Sequence, residues 1–345
     1  MQNPSAVYHG NQLFAIDETS IKAPAAGEVQ IAVAYCGICG TDLHAYLGHM
    51  DGRIGETRVL GHEMSGRISA VGEGVTNVSL GDHVVVRPLD DCGDCPACNA
   101  GHSHICHNLK FMGIDTDGAL RRYWTVPARL IHRLPSGMKL DAAALVEPTA
   151  VAVHDVRRSR LEAGESVVVI GGGPIGTLVA LTAKARGAEV VICEINPQRI
   201  ALARAMGLDA LNSLDIDINS EIQQRTGNKG ADVVFEVSGS QAGVDLMTEV
   251  AAVRARIVMV AIHANRPQVD LFRFFWRELE LIGARVYEPQ DFDDALNLLA
   301  SGAIDANAII TDRQPLSSIG QAFGNLSGNP KALKTLISID EEVSA

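Results

Sequence analysis

The sharpest hydrophobic pattern lies in the second half of the chain, where short apolar runs alternate with longer amphipathic stretches. Val167-Val-Val-Ile170 is a four-residue apolar run that breaks on Gly171, Gly172, Gly173, Pro174 and Gly176, then continues as Thr-Leu-Val-Ala-Leu-Thr-Ala-Lys-Ala up to Arg186-Gly187. That order predicts a strand, a tight turn and a helix of small residues. Further strands are expected at 189–194, 231–237, 255–261 and 279–286, with helical stretches such as 241–253 between them. The alternation predicts a parallel, doubly wound sheet. Farther on, Phe292, Ala295, Leu296 and Leu299 recur at helical spacing within 291–301, which predicts a helix with a core-facing stripe.

The first 150 residues follow a different rule. Turn signals at Gly27-Glu28, Gly72-Glu-Gly74 and Gly81-Asp82 cut them into short segments, as in a β-rich, barrel-like domain. A length of 345 residues with 47% apolar content is enough for a large core and suggests two domains. The balance of 41 acidic against 29 basic residues, a formal charge of −12, argues against nucleic acid and anionic membranes as partners. One uncharged stretch, 166–183, reaches the length of a membrane span. Its glycines and proline divide it into strand, turn and helix instead.

Gly171, Gly173 and Gly176, with Pro174 and Ile175 between the last two, form G-x-G-x-x-G between an expected strand and an expected helix. In that context the pattern is a dinucleotide fingerprint, with the helix amino terminus facing a pyrophosphate. The next expected strand ends at Glu194, about where a carboxylate for the ribose hydroxyls belongs. Such an acid repels a 2′-phosphate, so the expected cofactor is NAD rather than NADP. Arg199 is the one residue that could answer a 2′-phosphate, but it falls in a helix capped by Asn196.

Seven cysteines remain to be placed. Cys92, Cys95, Cys98 and Cys106 have C-x2-C-x2-C-x7-C spacing, which suits a closed, structural tetrahedral zinc. A disulfide scaffold is the alternative; the odd cysteine count and an opening segment without a basic stretch and apolar core lead us to expect no signal peptide and a reducing cytoplasm. Cys193, on an apolar strand, reads as a core thiol. Cys36 and Cys39 form C-x2-C, which could be a redox pair or could supply one zinc ligand. His62-Glu63 and Glu147 offer the imidazole and carboxylates of such a site.

The segment Gly61-His-Glu-x2-Gly66-x5-Gly72-x2-Val75, with Cys39-Gly-Thr-Asp-Leu-His44 before it and the four-cysteine run after it, resembles the zinc-containing medium-chain dehydrogenases. The resemblance runs along essentially the whole chain. Glu147-Pro-Thr-Ala-Val-Ala-Val-His154-Asp-Val-Arg-Arg is similar to the polyol branch, which includes sorbitol, butanediol and threonine dehydrogenases. The implied fold is a GroES-like β-barrel catalytic domain over 1–150, with a zinc lobe at about 90–108, and a Rossmann NAD-binding domain over 151–290. A segment over 291–345 would return to the catalytic domain.

The resemblance also implies roles. Cys39 rather than Cys36, His62, and Glu147 or Glu63 would hold a catalytic zinc, giving two zinc ions per chain with the cysteine lobe. Asp42 would stand behind His62, Thr41 and His44 would relay the proton, and Tyr46, Arg285 and Tyr287 would meet substrate. Val286 departs from the sorbitol enzyme, which carries arginine there. The implied activity is oxidation of a secondary alcohol of a polyol, sugar alcohol or sugar acid to a ketone with NAD, by a homo-oligomer, dimer or tetramer, acting on a small molecule. Threonine oxidation, or an NAD(H)-binding sensor without turnover, are the competing expectations.

Overall fold

The apolar runs of the second half become six parallel strands in the spatial order Asp209–Asn212, Glu189–Glu194, Ser166–Ile170, Ala231–Glu236, Ala251–Met259 and Glu280–Gly283. The order reverses direction beside Ser166–Ile170, and α/β sheets bind ligands at the carboxyl ends of their strands at such a reversal. This computed structural model describes residues 2–263, 265–328, 331–340 and 343. The chain divides into two compact units, Met1–Glu147 with Glu288–Ala345, and Pro148–Tyr287.

In the second unit the helices Pro174–Ala185, Pro197–Ala205, Ile218–Arg225 and Gln241–Glu249 follow successive strands. Val168, Ile170, Val234, Ile257, Val244 and Met247 pack together in its core. Pro197 and Asn196 start their helix as the sequence suggests, the Asn196 side chain accepting from the N–H groups of Gln198 and Arg199.

Two expected boundaries move. The helical stretch ends at Glu249, because Ala251 already begins the next strand, four residues before the expected start. The last strand is only Glu280–Gly283. Beyond it Val286 sits at φ 49°, a left-handed conformation that a β-branched residue adopts only under constraint, at a cost of about 1–3 kcal/mol. That edge strand leaves Leu281 half exposed, and Phe272, Phe275 and Trp276 of the helix Leu271–Arg277 are 67–77% exposed.

The first unit is mainly antiparallel. Glu28–Gly37 lies at its centre, paired with Glu63–Val71, Tyr123–Pro127 and Lys334–Ser338. His83–Val86 and Ile131–Arg133 extend the sheet beyond Glu63–Val71, and Ile310–Pro315 pairs in parallel with Lys334–Ser338. The helix Pro289–Ala300 buries Phe292, Ala295, Leu296 and Leu299, the stripe read from the sequence. No helix among the described residues is long and apolar enough to cross a membrane.

Candidate active site and metal centres

The starts of two elements of the first unit converge on one cluster of donors. Cys39 immediately precedes the helix Gly40–Tyr46, His62 precedes the strand Glu63–Val71, and Glu63 opens it. Ligand atoms of Cys39, His62 and Glu63 lie within 4.8 Å of one another, with His62 and Glu63 1% exposed. Cys36, the other member of C-x2-C, is fully buried and contributes no atom to this group. Burial first, then the nearby Asp42 and Glu63 charges, push its thiol well above its ordinary value, which keeps it neutral.

Asp42 serves two neighbours. One carboxylate oxygen accepts from the Cys39 backbone N–H at 2.9 Å, and the other lies 3.5 Å from His62 Nδ1. This leaves Nε2 of His62 as its ligand atom and places a carboxylate behind the imidazole, an arrangement that orients metal-binding histidines. Burial pulls the His62 imidazole down, but Asp42, Cys39 and Glu147 outweigh it and hold it well above its ordinary value. Burial raises the Asp42 carboxyl, with His62 opposing.

Glu147, on the helix Val146–Arg158, is 5% exposed and outside the tight group, yet its charge acts on both His62 and Lys334. Lys334 lies outside the motifs that the sequence singles out. It comes from the carboxy-terminal strand, ion-pairs with Glu63 and donates to the Ile38 carbonyl at 3.0 Å. Burial pulls its ammonium down, but Glu63, then Cys39 and Glu147, outweigh it and raise it above its ordinary value. A lone lysine in the apolar run Leu333-Lys-Thr-Leu-Ile337 was the available signal.

This donor set suits a zinc ion. Thiolate, imidazole and carboxylate are its usual ligands, and Glu63 Oε1 is buried without a hydrogen-bond partner. Thr41 and His44 lie on the helix Gly40–Tyr46, both half-buried. Tyr46, on the same helix, is 7% exposed; its ring stacks on Phe14 and packs against Phe323, which is core packing, and we assign it no substrate contact.

The four cysteines form a second donor set, with ligand atoms within 4.8 Å of one another. Adjacent sulfurs are 3.4–3.7 Å apart, far beyond a disulfide and close to the edge of about 3.8 Å in a tetrahedron with 2.3 Å zinc–sulfur bonds. Backbone N–H groups of Cys98 and His107 bring the Cys95 thiol down to about 6, so it is a thiolate at neutral pH. Cys193 is instead pushed up to about 12 by burial, an inert core thiol.

In the second unit, Gly173 caps the helix Pro174–Ala185, and Ile175 and Gly176 supply its first N–H groups. Gly176 admits no side chain: a Cβ there would overlap the Gly171 carbonyl oxygen. Glu194, 6% exposed, accepts from Gly172 N–H at 2.7 Å with one oxygen, and from Ile195 and Asn196 N–H with the other. Arg199 lies 3.8 Å from Glu194 as its ion-pair partner. Arg285 is exposed and Tyr287 fully buried.

Comparison with known proteins matches residues 25–136 to the alcohol dehydrogenase GroES-like domain and residues 174–301 to the zinc-binding dehydrogenase family. The chain is 54% identical to 2-dehydro-3-deoxy-L-galactonate 5-dehydrogenase of Pseudoalteromonas atlantica, over 98% of this chain and 99% of that one. It is 32% identical to L-galactonate-5-dehydrogenase of Escherichia coli over 93% and 94%. The crystal structure of 2R,3R-butanediol dehydrogenase from Bacillus subtilis superposes with a TM-score of 0.90 at 31% identity, covering 98% of this chain and all of that one. The GroES-like unit, the parallel nucleotide-binding sheet and these full-length relationships together show that the chain belongs to the zinc-containing medium-chain dehydrogenases, in their polyol and sugar-acid branch.

Proposed function

We propose that the chain is an NAD-dependent dehydrogenase that oxidises the C5 hydroxyl of a six-carbon sugar acid, with 2-dehydro-3-deoxy-L-galactonate as its substrate. The observation that carries this reading is the full-length 54% identity to the Pseudoalteromonas enzyme. A zinc ion at Cys39, His62 and Glu63 or Glu147 would acidify the alcohol, and NAD would take up the hydride. The chain's own residues do the rest. Asp42 fixes the His62 ring and Lys334 offsets the Glu63 charge. Thr41 and His44 carry the alcohol proton outward.

Glu194 stands at the end of the second strand of the sheet with Arg199 already engaged, which favours a ribose diol over a 2′-phosphate and so NAD over NADP. The four cysteines hold a second, structural zinc. The edge strand Glu280–Gly283, paired among the described residues only with Ala251–Met259, and the exposed Phe272, Phe275 and Trp276 favour association with a second copy, giving a dimer or tetramer. Seven free cysteines, four of them gathered as a metal donor set, suit a reducing, cytoplasmic setting.

Cofactor reduction by the purified protein, measured across 2-dehydro-3-deoxy-L-galactonate, L-galactonate, sorbitol, butanediol and threonine with NAD and NADP, tests this reading. The sugar acid with NAD is expected to give the highest kcat/KM. A preference for threonine or a simple diol would overturn the substrate assignment.

A further inference from the structure

The helix Gly40–Tyr46 is closed at its carboxyl end by a Schellman motif. Gly48 N–H donates to the Ala45 carbonyl at 2.9 Å and His49 N–H donates to the His44 carbonyl at 3.0 Å, with Gly48 at φ 81°, where glycine is favoured. In this motif the residue after the glycine folds back onto the helical residue five positions earlier, and the contact is commonly apolar. Here both residues are histidines.

Nδ1 of His44 and Nδ1 of His49 lie 3.2 Å apart, with ring centroids 5.5 Å apart and planes at 42°. Two bare nitrogen lone pairs repel at that distance, so a shared proton or a cation must stand between them. An ion bound tetrahedrally at about 2.0–2.1 Å to each of two imidazoles holds their nitrogens about 3.3 Å apart, which the backbone of this motif already provides. The Asp51 carboxylate lies beside the turn, 3.4 Å from where a Cβ on Gly48 would stand, and adds negative charge. His49 is exposed and His44 half-buried, so a hydrated ion has access.

We propose that His44 and His49 form a third metal site, for zinc or another imidazole-seeking divalent ion, completed by water. The ion binds both neutral rings through Nδ1, and the hydrogen that stood between them moves, by exchange with water, to Nε2 of the ring that carried it. It also holds the His44 ring in place. With His44 as the outlet for the alcohol proton, a filled site blocks that outlet and inhibits the enzyme; the inhibition rests on the proposed function, whereas the binding does not.

The test uses the fully zinc-loaded protein and its His49→Leu variant, which keeps an apolar contact at that place in the motif. In equilibrium dialysis against rising free zinc, the wild-type chain is expected to take up one further ion that the variant does not. Ring-nitrogen NMR is expected to show His44 and His49 Nδ1 shifting together as that ion binds. Equal uptake by the two proteins, or unshifted Nδ1 signals, would overturn the site. Added zinc is expected to lower turnover of the wild type and leave the variant unaffected; further zinc bound with turnover unchanged would overturn the link to the proton outlet. A chain that takes up the further ion but oxidises no alcohol would retain the site and overturn the proposed function instead.

Discussion

Lys334 and Glu63 pair at 3% and 1% exposure, so a full positive and a full negative charge face each other with almost no water. A buried pair contributes little net stability over an apolar replacement, but breaking it leaves an uncompensated charge. Replacing Lys334 with Met is therefore expected to destabilise the metal-free protein by about 3–5 kcal/mol. Adding Glu63→Gln to that variant should recover most of the loss. Urea denaturation of the two single variants and the double variant measures the coupling, and additive losses would show that the two residues act independently.

The two donor sets should fail in different ways. Cys39→Ser is expected to lose one zinc per chain and lower kcat/KM by about 100-fold or more, with the thermal midpoint little changed. Cys95→Ser is expected to lose the other zinc and lower the thermal midpoint before activity suffers, since its thiolate sits among sulfurs and backbone N–H groups with no open position for substrate. Metal analysis beside thermal melts separates the two outcomes.

Glu194 holds the glycine turn through Gly172 N–H, and the proposed function gives it the cofactor ribose as well. Glu194→Gln keeps the shape and removes the charge. It is expected to raise KM for NAD by roughly 10- to 100-fold, the worth of a charge-assisted hydrogen bond, and to narrow the gap between NAD and NADP. Steady-state kinetics with both cofactors measures this, and an unchanged ratio would count against Glu194 as the discriminating residue.

Asp115 links pH to the stability of the first unit. Both its oxygens accept from Arg53, at 2.7 Å each, and one also accepts from Phe111 N–H at 2.8 Å. Burial alone would raise its carboxyl, but the Arg53 and Phe111 hydrogen bonds outweigh it and lower it below its ordinary value. A carboxyl lower in the folded than in the unfolded state adds stability above the unfolded value and loses it as pH falls through the folded one. Asp115→Asn is therefore expected to cost about 1–2 kcal/mol at neutral pH and progressively less below about pH 4. Denaturant midpoints of both proteins across that range check the sign.

Much of the second unit was legible because its strands are runs of Val and Ile bounded by glycine, and its helices begin with caps written in the sequence, such as Asn196-Pro197. Periodicity and capping are local, and local signals survive without the fold. Cys39, His62 and Glu63, which the structure brings together, stood out for a different reason: each alone has a bland use, but their joint occurrence and the family resemblance marked them as candidates. What escaped was long-range. Lys334 reads as one more surface lysine until the last strand carries it beneath Glu63, and Tyr46 reads as a candidate contact until Phe14 and Phe323 enclose it. Val286 escaped because a run of apolar residues does not reveal where its backbone turns left-handed.

The hydrogen bond from Lys334 to Ile38 joins positions 296 residues apart. A contact between positions so far apart forms more slowly than local structure, because the intervening chain must close first. Until the last strand docks, the Glu63 carboxylate lacks the ammonium that partners it in the folded chain. The candidate zinc site is therefore balanced in charge by the far end of the chain, and its donors from positions 39–63 reach their folded surroundings only once the strand Lys334–Ser338 is in place.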